Sequence, residues 1–557
     1  MKRSLLLITL LSIVSFTFGQ ISQGGMPLSF ELDQIKRAPI KVVLEKPDLT
    51  NFMEDDIERE SFKYPPRDAV IIPVNKSMEN DGEWEILANG DRIWRLEIYV
   101  PDAVSLELFY EDFFMPPGAK LFLYDPEHKN VFGAFTEINN KPRYRFATDA
   151  VPGENTVLEY FEPAEVAGQG RLTIKDLGYA YRDLRGLGGS QHCEVDVNCS
   201  EGEGWANEID ATVRIRTRIS GNLFWCTGTL MNNTSQDCKP YILSALHCAL
   251  NGVQSSTADY DLYKFYWKFQ TPGCDSGNAS AASAITGCDL RGDSNDGGGS
   301  SGSDFMLLEL QENIPASYNP FWAGWSKSSV ASSGGGVCIH HPNADVKKIS
   351  TFSNTPQTAS WNPGSSNNNH WRVFWEETDN GWGVTEGGSS GSGLFDAEHK
   401  LIGTLTGGAS FCEGVNPPNG PDDPDMFGKM NRHFVSNPNP SSEKLSEWLD
   451  PIDNGATTFE GSANPCGNVG IDEISADKVF TIFPNPSNGN FVLEIVNEDL
   501  KVDLVNIFDA QGKIVRKIQS SAYPISVDLS NNEAGIYLVQ LILEGNKNYT
   551  RKIVLEK

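Results

Sequence analysis

Nine of the ten cysteines in this 557-residue chain fall between Cys193 and Cys412, and only Cys466 lies beyond them. The chain opens with Lys2 and Arg3 before an apolar run, Leu5 to Phe18, that ends at Gly19-Gln20. Such a run reads as a secretory signal cleaved near that bond, and it is shorter than the roughly 20 residues a membrane span needs. Export into an oxidising compartment turns clustered thiols into disulfides, so the middle of the chain is its stapled part. No later segment is long and apolar enough to cross a bilayer, so no membrane span is expected after signal cleavage.

Length argues for about three or four domains. Residues 1–19 read as the signal. Residues 20–185 hold no cysteine and show short strands broken by turns: Trp94 to Val100 alternates, Leu106 to Tyr110 follows, and Pro116-Pro117-Gly118 turns into Leu121 to Tyr124. This region reads as a β-rich module, either an independent binding unit or a propeptide that covers or folds the stapled region. Residues 186–461 are rich in Gly, Ser, Asn and Trp. Ala211 to Ile219 alternates, Tyr241-Ile242-Leu243 is a short apolar strand, and Tyr263 to Phe269 is aromatic. Loops such as Asp293–Ser303 and Gly364–Asn369 separate them, as in a loop-rich double β-barrel. Ser442 to Leu449 is the one helix expected there. Residues 462–477 form a linker. Residues 478–557 carry strands at Phe480–Phe483, Phe491–Val496, Val502–Phe508 and Gly535–Leu541, as in a small β-sandwich. The fold class is therefore all-β.

The net charge of −29 would repel a phosphate backbone, so nucleic acid is not an expected partner. His340-His341 has no Cys or carboxylate at zinc spacing and reads as structural. No metal or cofactor is expected.

Three strings carry chemistry, in the order His, Asp, Ser: Ser244-Ala245-Leu246-His247-Cys248, Ser303-Asp304-Phe305-Met306, and Gly387-Gly388-Ser389-Ser390-Gly391-Ser392-Gly393. A serine hydroxyl is a poor nucleophile near neutral pH. It needs a histidine to take its proton and a carboxylate to hold that histidine's tautomer. Taken singly, His247 could be structural and Asp304 a strand cap. Glycines around Ser390 let the backbone turn so that the N–H groups of Gly388 and Ser390 can point at an oxyanion. Ser389, Ser390 and Ser392 compete for the nucleophile. The order and surroundings resemble chymotrypsin-like serine endopeptidases, and overlaying Gly388 to Ser392 on the Gly-Asp-Ser-Gly-Gly loop of trypsin-like enzymes selects Ser390.

A closer resemblance rests on Cys193 to Cys199, Phe321-Trp322-Ala323-Gly324-Trp325 after the Asp304 string, Ile339-His340-His341-Pro342, and Gly383-Val384-Thr385-Glu386. These are similar to the bacterial lysyl endopeptidase family, which implies a secreted protease cutting after a basic residue. A cationic side chain needs a carboxylate at the pocket floor, because burying it unpaired costs several kcal/mol. Trypsin-like enzymes keep that acid six residues before the serine, where this chain has Val384. The resemblance moves the acid to Asp425, in Asp425-Met426-Phe427-Gly428-Lys429. It also implies that Trp361, Thr406, Gly407 and Gly408 line the pocket, with Thr406 replacing a family histidine, so lysine and arginine both remain open. The same resemblance implies bridges Cys193–Cys412, Cys199–Cys274 and Cys226–Cys248. Cys288 and Cys338, each before a short apolar strand, are then expected to pair, and Cys238 and Cys466 stay unassigned. If the mature enzyme starts near its first cysteine, Arg185-Gly186 is the nearest basic site for self-cleavage.

The last domain resembles type IX secretion sorting domains, through Pro484-Asn485-Pro486, Gly535-Ile536-Tyr537 and the ending Lys552 to Lys557. That implies the type IX machinery as a partner and a secreted or cell-surface location, reached through the periplasm. The combined expectation is a secreted serine endopeptidase acting on polypeptides. The alternative is an inactive, protease-derived surface binding or adhesion protein.

Overall fold

The computed structural model describes residues 22–556 apart from 33–34, 36, 184–188, 277–278, 280–282, 436–439, 441–442, 470–478, 496–501, 510–511, 520–523 and 544–547. The expected signal peptide, the Arg185-Gly186 bond and the second half of the expected linker lie outside the described residues. Two compact units are present, Met1–Ala463 and Asn464–Lys557.

Among the described residues, the first unit is built from three large sheets and a two-stranded ribbon, Leu250–Asn251 with Val253–Gln254. One has the order Ile40–Val43, Arg92–Tyr99, Asn155–Glu162, Lys120–Tyr124, Val131–Phe135, with Glu83–Ile86 alongside Arg92–Tyr99. It packs against Arg67–Ser77, Arg171–Ala180 and Ser105–Phe114 over a core that includes Trp94, Leu96, Tyr110, Phe113, Leu158 and Tyr179. The alternation at Trp94–Val100 and Leu106–Tyr110 supplies those inward side chains. A helix, Thr50–Ser61, lies in the chain between the strands Ile40–Val43 and Arg67–Ser77. The sequence pattern there pointed only to strands and turns.

Arg67–Ser77 does more than cover that core. On its other edge it pairs antiparallel with Asn222–Met231, so the N-terminal sandwich and the stapled region share one twelve-stranded sheet. From there the order continues through Thr212–Ile219, Lys264–Trp267 and Ser283–Thr286, while Tyr241–Ser244, Met306–Leu310 and Cys288–Asp293 extend from Asn222–Met231. All seven of these strands turn side chains into one core, among them Val213, Cys226, Ile242, Phe265, Ile285, Cys288 and Leu308, so they wrap around it.

A ten-stranded sheet forms the other half of the stapled region. Its path runs Val195–Asp196, Lys348–Phe352, Gly336–His340, Gly393–Asp396, Lys400–Gly408, Asp425–Lys429, His370–Val373, Gln357–Ala359. It encloses Cys338, Phe352, Trp371, Leu394, Leu405 and Phe427. A third cluster, including Leu243 and Leu307 from the first half and Ile339, Phe395 and Leu401 from the second, joins the two. Helices Met430–Val435 and Leu445–Leu449 seal it, the latter being what the described residues retain of the expected Ser442–Leu449 helix.

Bridges Cys193–Cys412, Cys199–Cys274 and Cys226–Cys248 are formed, and Cys238 and Cys466 are also disulfide-bonded. The expected Cys288–Cys338 bridge is not. Both thiols are free and buried, Cys288 in the first core and Cys338 in the second, so joining them would require unpacking both. Burial pushes both thiols up, which keeps them neutral.

The second unit is a small sandwich. Phe480–Phe483, Asn490–Ile495 and Ile525–Asp528 form one sheet, and Ile514–Ile518, Val502–Phe508, Gly535–Leu543 and Asn548–Leu555 the other. Phe491, Leu493, Val505, Val539, Leu541 and Ile553 fill the space between. Among the described residues, no helix is long and apolar enough to cross a membrane.

Candidate active site

His247 sits in a single 3₁₀ turn, Leu246–Ala249, directly after the strand Tyr241–Ser244. The Cys226–Cys248 bridge ties that turn to the neighbouring strand. Asp304 arrives from the next strand over, at the start of Met306–Leu310. Its Oδ2 lies 2.7 Å from His247 Nδ1, and its Oδ1 accepts the His247 backbone N–H at 3.0 Å. Both carboxylate oxygens therefore orient one histidine, whose Nε2 has no hydrogen-bond partner among the described residues. Burial alone would raise the Asp304 carboxyl. The adjacent His247 and its hydrogen bonds outweigh that and hold it below the usual carboxylate range. Asp296 accepts the Asp304 N–H at 2.8 Å, and burial beside Asp304 pushes Asp296 up.

The serine loop separates its three hydroxyls. Ser389 Oγ lies 2.7 Å from His340 Nδ1 and accepts the Glu386 N–H. Burial pushes His340 down to about 3, so it is neutral at neutral pH. Ser392 Oγ is 3.1 Å from Cys338 Sγ. Ser390 is anchored through its backbone, its carbonyl accepting from Thr227 N at 2.9 Å, which sets it beside the Cys226–Cys248 bridge and the His247 turn. Gly391 has φ +81°, and a Cβ there would lie 2.1 Å from Ser244 Oγ. The loop can approach the histidine strand only because that residue is glycine. The N–H groups of Ser389, Gly391 and Ser392 donate to Glu386, Leu405 and Ser389 carbonyls. Those of Gly388 and Ser390 donate to no atom among the described residues.

Asp425 lies fully buried at the start of the strand Asp425–Lys429. Its Oδ2 accepts from Trp375 Nε1 (2.8 Å), Thr385 Oγ1 (2.7 Å) and Ser410 Oγ (2.5 Å). Its Oδ1 accepts from Ser410 N and faces a lysine ammonium, that of Lys63, at 3.2 Å. The same ammonium reaches Ser410 Oγ at 3.0 Å and Thr385 Oγ1 at 3.3 Å, and sits 4.8 Å from the Phe411 ring centroid. A Cβ on Gly408 would lie 2.0 Å from Asp425 Oδ1, so only glycine keeps this wall open. Val384, the position a trypsin template would choose, is buried among apolar neighbours.

Trp361 lies over Gly407, where an added Cβ would meet its ring at 3.0 Å. Its aromatic partner is His370, with ring centroids 6.1 Å apart, and His370 Nε2 is 3.1 Å from Thr406 Oγ1. His370, from the strand His370–Val373, thus places a histidine beside both Trp361 and Thr406. Burial pushes His370 down to about 4. A cavity of about 430 Å³ opens beside this wall, bounded by Trp361, Gly408 and Phe411 on one side and Phe62 and Tyr64 on the other. Sequence reasoning missed Thr385, Trp375, Ser410, Phe411, His370 and Lys63.

Residues 187–428 match the family model described as lysyl endopeptidase, C-terminal domain. The central region resembles the lysyl endopeptidases. Residues 481–556 match the secretion system C-terminal sorting domain, and the protein is a secreted or cell-surface one. A lysyl endopeptidase of Pseudomonas aeruginosa is 30% identical over 291 residues, 49% of this chain, and the match spans 58% of that relative's length. Among solved structures, the inactive form of the Rv3671c protease aligns with 44% of this chain and 95% of its own, at 12% identity and a TM-score of 0.26.

Proposed function

We propose that the protein is a secreted serine endopeptidase that cleaves polypeptides on the carboxyl side of lysine. In this reading Ser390 Oγ attacks the scissile carbonyl while His247 Nε2 takes its proton, and Asp304 holds the opposite ring nitrogen. The unpaired N–H groups of Gly388 and Ser390 receive the oxyanion. His247 then protonates the leaving amine, and water releases the acyl group by the reverse steps.

The observation that carries the reading is the lysine side chain on Asp425. An ammonium is a compact charge with three donors, and here it meets Asp425 Oδ1, Ser410 Oγ and Thr385 Oγ1 under the Phe411 ring. An arginine would seek a two-oxygen fork on the carboxylate. Oδ2 already accepts three hydrogen bonds, so that fork is not on offer. The reading therefore favours lysine over arginine, a choice that Thr406 alone had left open. Digestion of a peptide library holding both residues, followed by sequencing of the products, tests it: cuts after lysine support it, and equal cutting after arginine or apolar residues overturns it.

A further inference from the structure

The lysine that fills the pocket belongs to the chain itself, and its backbone is wrong for a substrate. Lys63 follows the helix Thr50–Ser61 and closes it with a left-handed turn, φ +55°. Tyr64 N donates to Arg59 O at 3.0 Å and Lys63 N to Glu60 O at 3.2 Å, the paired bonds of a Schellman motif. That motif usually puts glycine at the left-handed position. Here a lysine holds it, with its side chain almost wholly buried in the Asp425 pocket.

A residue about to be cut lies extended, its N–H paired with the pocket edge and its carbonyl in the oxyanion hole. The Lys63 N–H is spent inside its own helix turn. The N–H groups of Gly388 and Ser390 receive no carbonyl among the described residues, that of Lys63 included. The chain then crosses the catalytic loop, with the Tyr64 carbonyl 2.5 Å from where a Gly387 side chain would begin, and Pro66 O accepts from Trp225 N at 3.1 Å. The turn is braced on both sides. Arg59 stacks on Phe224 and donates to Pro65 O, and Arg67 and Arg182 pair with Asp56.

We propose that Lys63 is an uncut plug: the segment from Thr50 to Pro66 holds a lysine in the specificity pocket in a conformation the catalytic residues cannot use, so the unprocessed chain inhibits itself. The inference rests on the lysine reading of the Asp425 pocket. It adds that a single cut between the sandwich and Cys193, at Arg185-Gly186 or nearby, does not free the site. The strand Arg67–Ser77, directly after the plug, stays paired with Asn222–Met231, and Asp68 and Glu107 stay paired with Arg216 and Lys264. The cut N-terminal part remains bound with Lys63 in place until it dissociates or is itself degraded.

The test uses Nα-dansyl-lysine with its carboxylate free, a fluorescent product-like lysine with no amide bond at its carboxyl side for the serine to cleave. Its binding is measured to the processed enzyme, to the full chain carrying Ser390→Ala, and to the full chain carrying Ser390→Ala with Lys63→Met or Lys63→Ala. The two variants guard against a loss of folding in either one. Binding by the processed enzyme and by either Lys63 variant, at least about 100-fold tighter than by the full chain with Lys63, is the expected result. Equal binding with and without Lys63 overturns the plug. So does a Tyr64 N-terminus on chains whose N-terminal part is still bound, since that would make Lys63 a substrate while it sits in the pocket. No binding by the processed enzyme strikes the pocket reading underneath it, and this outcome is distinct from the other two.

Discussion

Replacing Asp425 by Asn removes one charge and almost no volume. In the pocket, Asp425 Oδ1 faces the ammonium at 3.2 Å while Oδ2 collects three donors, and both partners of the ion pair are buried, with 3% and 0% of their side-chain surface exposed. Breaking one side of such a pair leaves a buried charge uncompensated, at about 3–5 kcal/mol. At about 1.4 kcal/mol per factor of ten, kcat/KM for a lysyl substrate should fall by roughly two to four orders of magnitude. A substrate with norleucine in place of lysine keeps the apolar stem and lacks the ammonium, so its kcat/KM should change by less than about threefold. The assay compares both substrates on the processed wild-type and Asp425→Asn enzymes. A lysyl loss of less than about tenfold would refute the assignment of Asp425 as the counter-charge. Equal losses on both substrates would refute it too, since that pattern signals a damaged site.

Three further outcomes are expected from the same geometry. Ser389→Ala and Ser392→Ala should keep labelling by an active-site fluorophosphonate and Ser390→Ala should lose it, because the first two hydroxyls are engaged by His340 and Cys338; labelling that survives Ser390→Ala contradicts the choice of nucleophile. His433 is pushed down to about 3 by burial, so the folded chain keeps it neutral while the unfolded chain protonates it below its ordinary 6.5. Its share of stability is complete above pH 6.5 and is lost as pH falls toward 3, at about 1.4 kcal/mol per pH unit. Urea unfolding of His433→Gln should therefore lose stability less steeply between about pH 6.5 and pH 5 by that slope, and parallel profiles would contradict it. Titration of thiols in denaturant without reductant should find Cys288 and Cys338 reactive, whereas no reactive thiol would mean that they pair after all.

What sequence reasoning could reach depended on how local the chemistry is. The turn after Tyr241–Ser244, the strand-start carboxylate and the glycine-flanked serine each occupy a few consecutive residues, so His247, Asp304 and Ser390 could be named before any fold was known. Alternation located Arg92–Tyr99 and Asn490–Ile495 for the same reason. The pocket is different. Trp375, Thr385 and the adjacent pair Ser410-Phe411 are far apart in sequence and meet only when the ten-stranded sheet closes, and His370 reaches Trp361 from a strand whose sequence neighbours are ordinary loop residues. Lys63 carries no local mark at all. It is one lysine after an acidic helix, and its meaning depends on a contact with Asp425, 362 residues away. The Cys288–Cys338 pairing failed because preceding an apolar strand says nothing about which core that strand faces.

Ser390-dependent cleavage selective for lysine is read out by digesting a peptide library with the processed enzyme and sequencing every new C-terminus. Lysine is expected at nearly all of them, with no products from the Ser390→Ala protein. Products ending in arginine or apolar residues as often as lysine, or an unchanged pattern from Ser390→Ala, would contradict it.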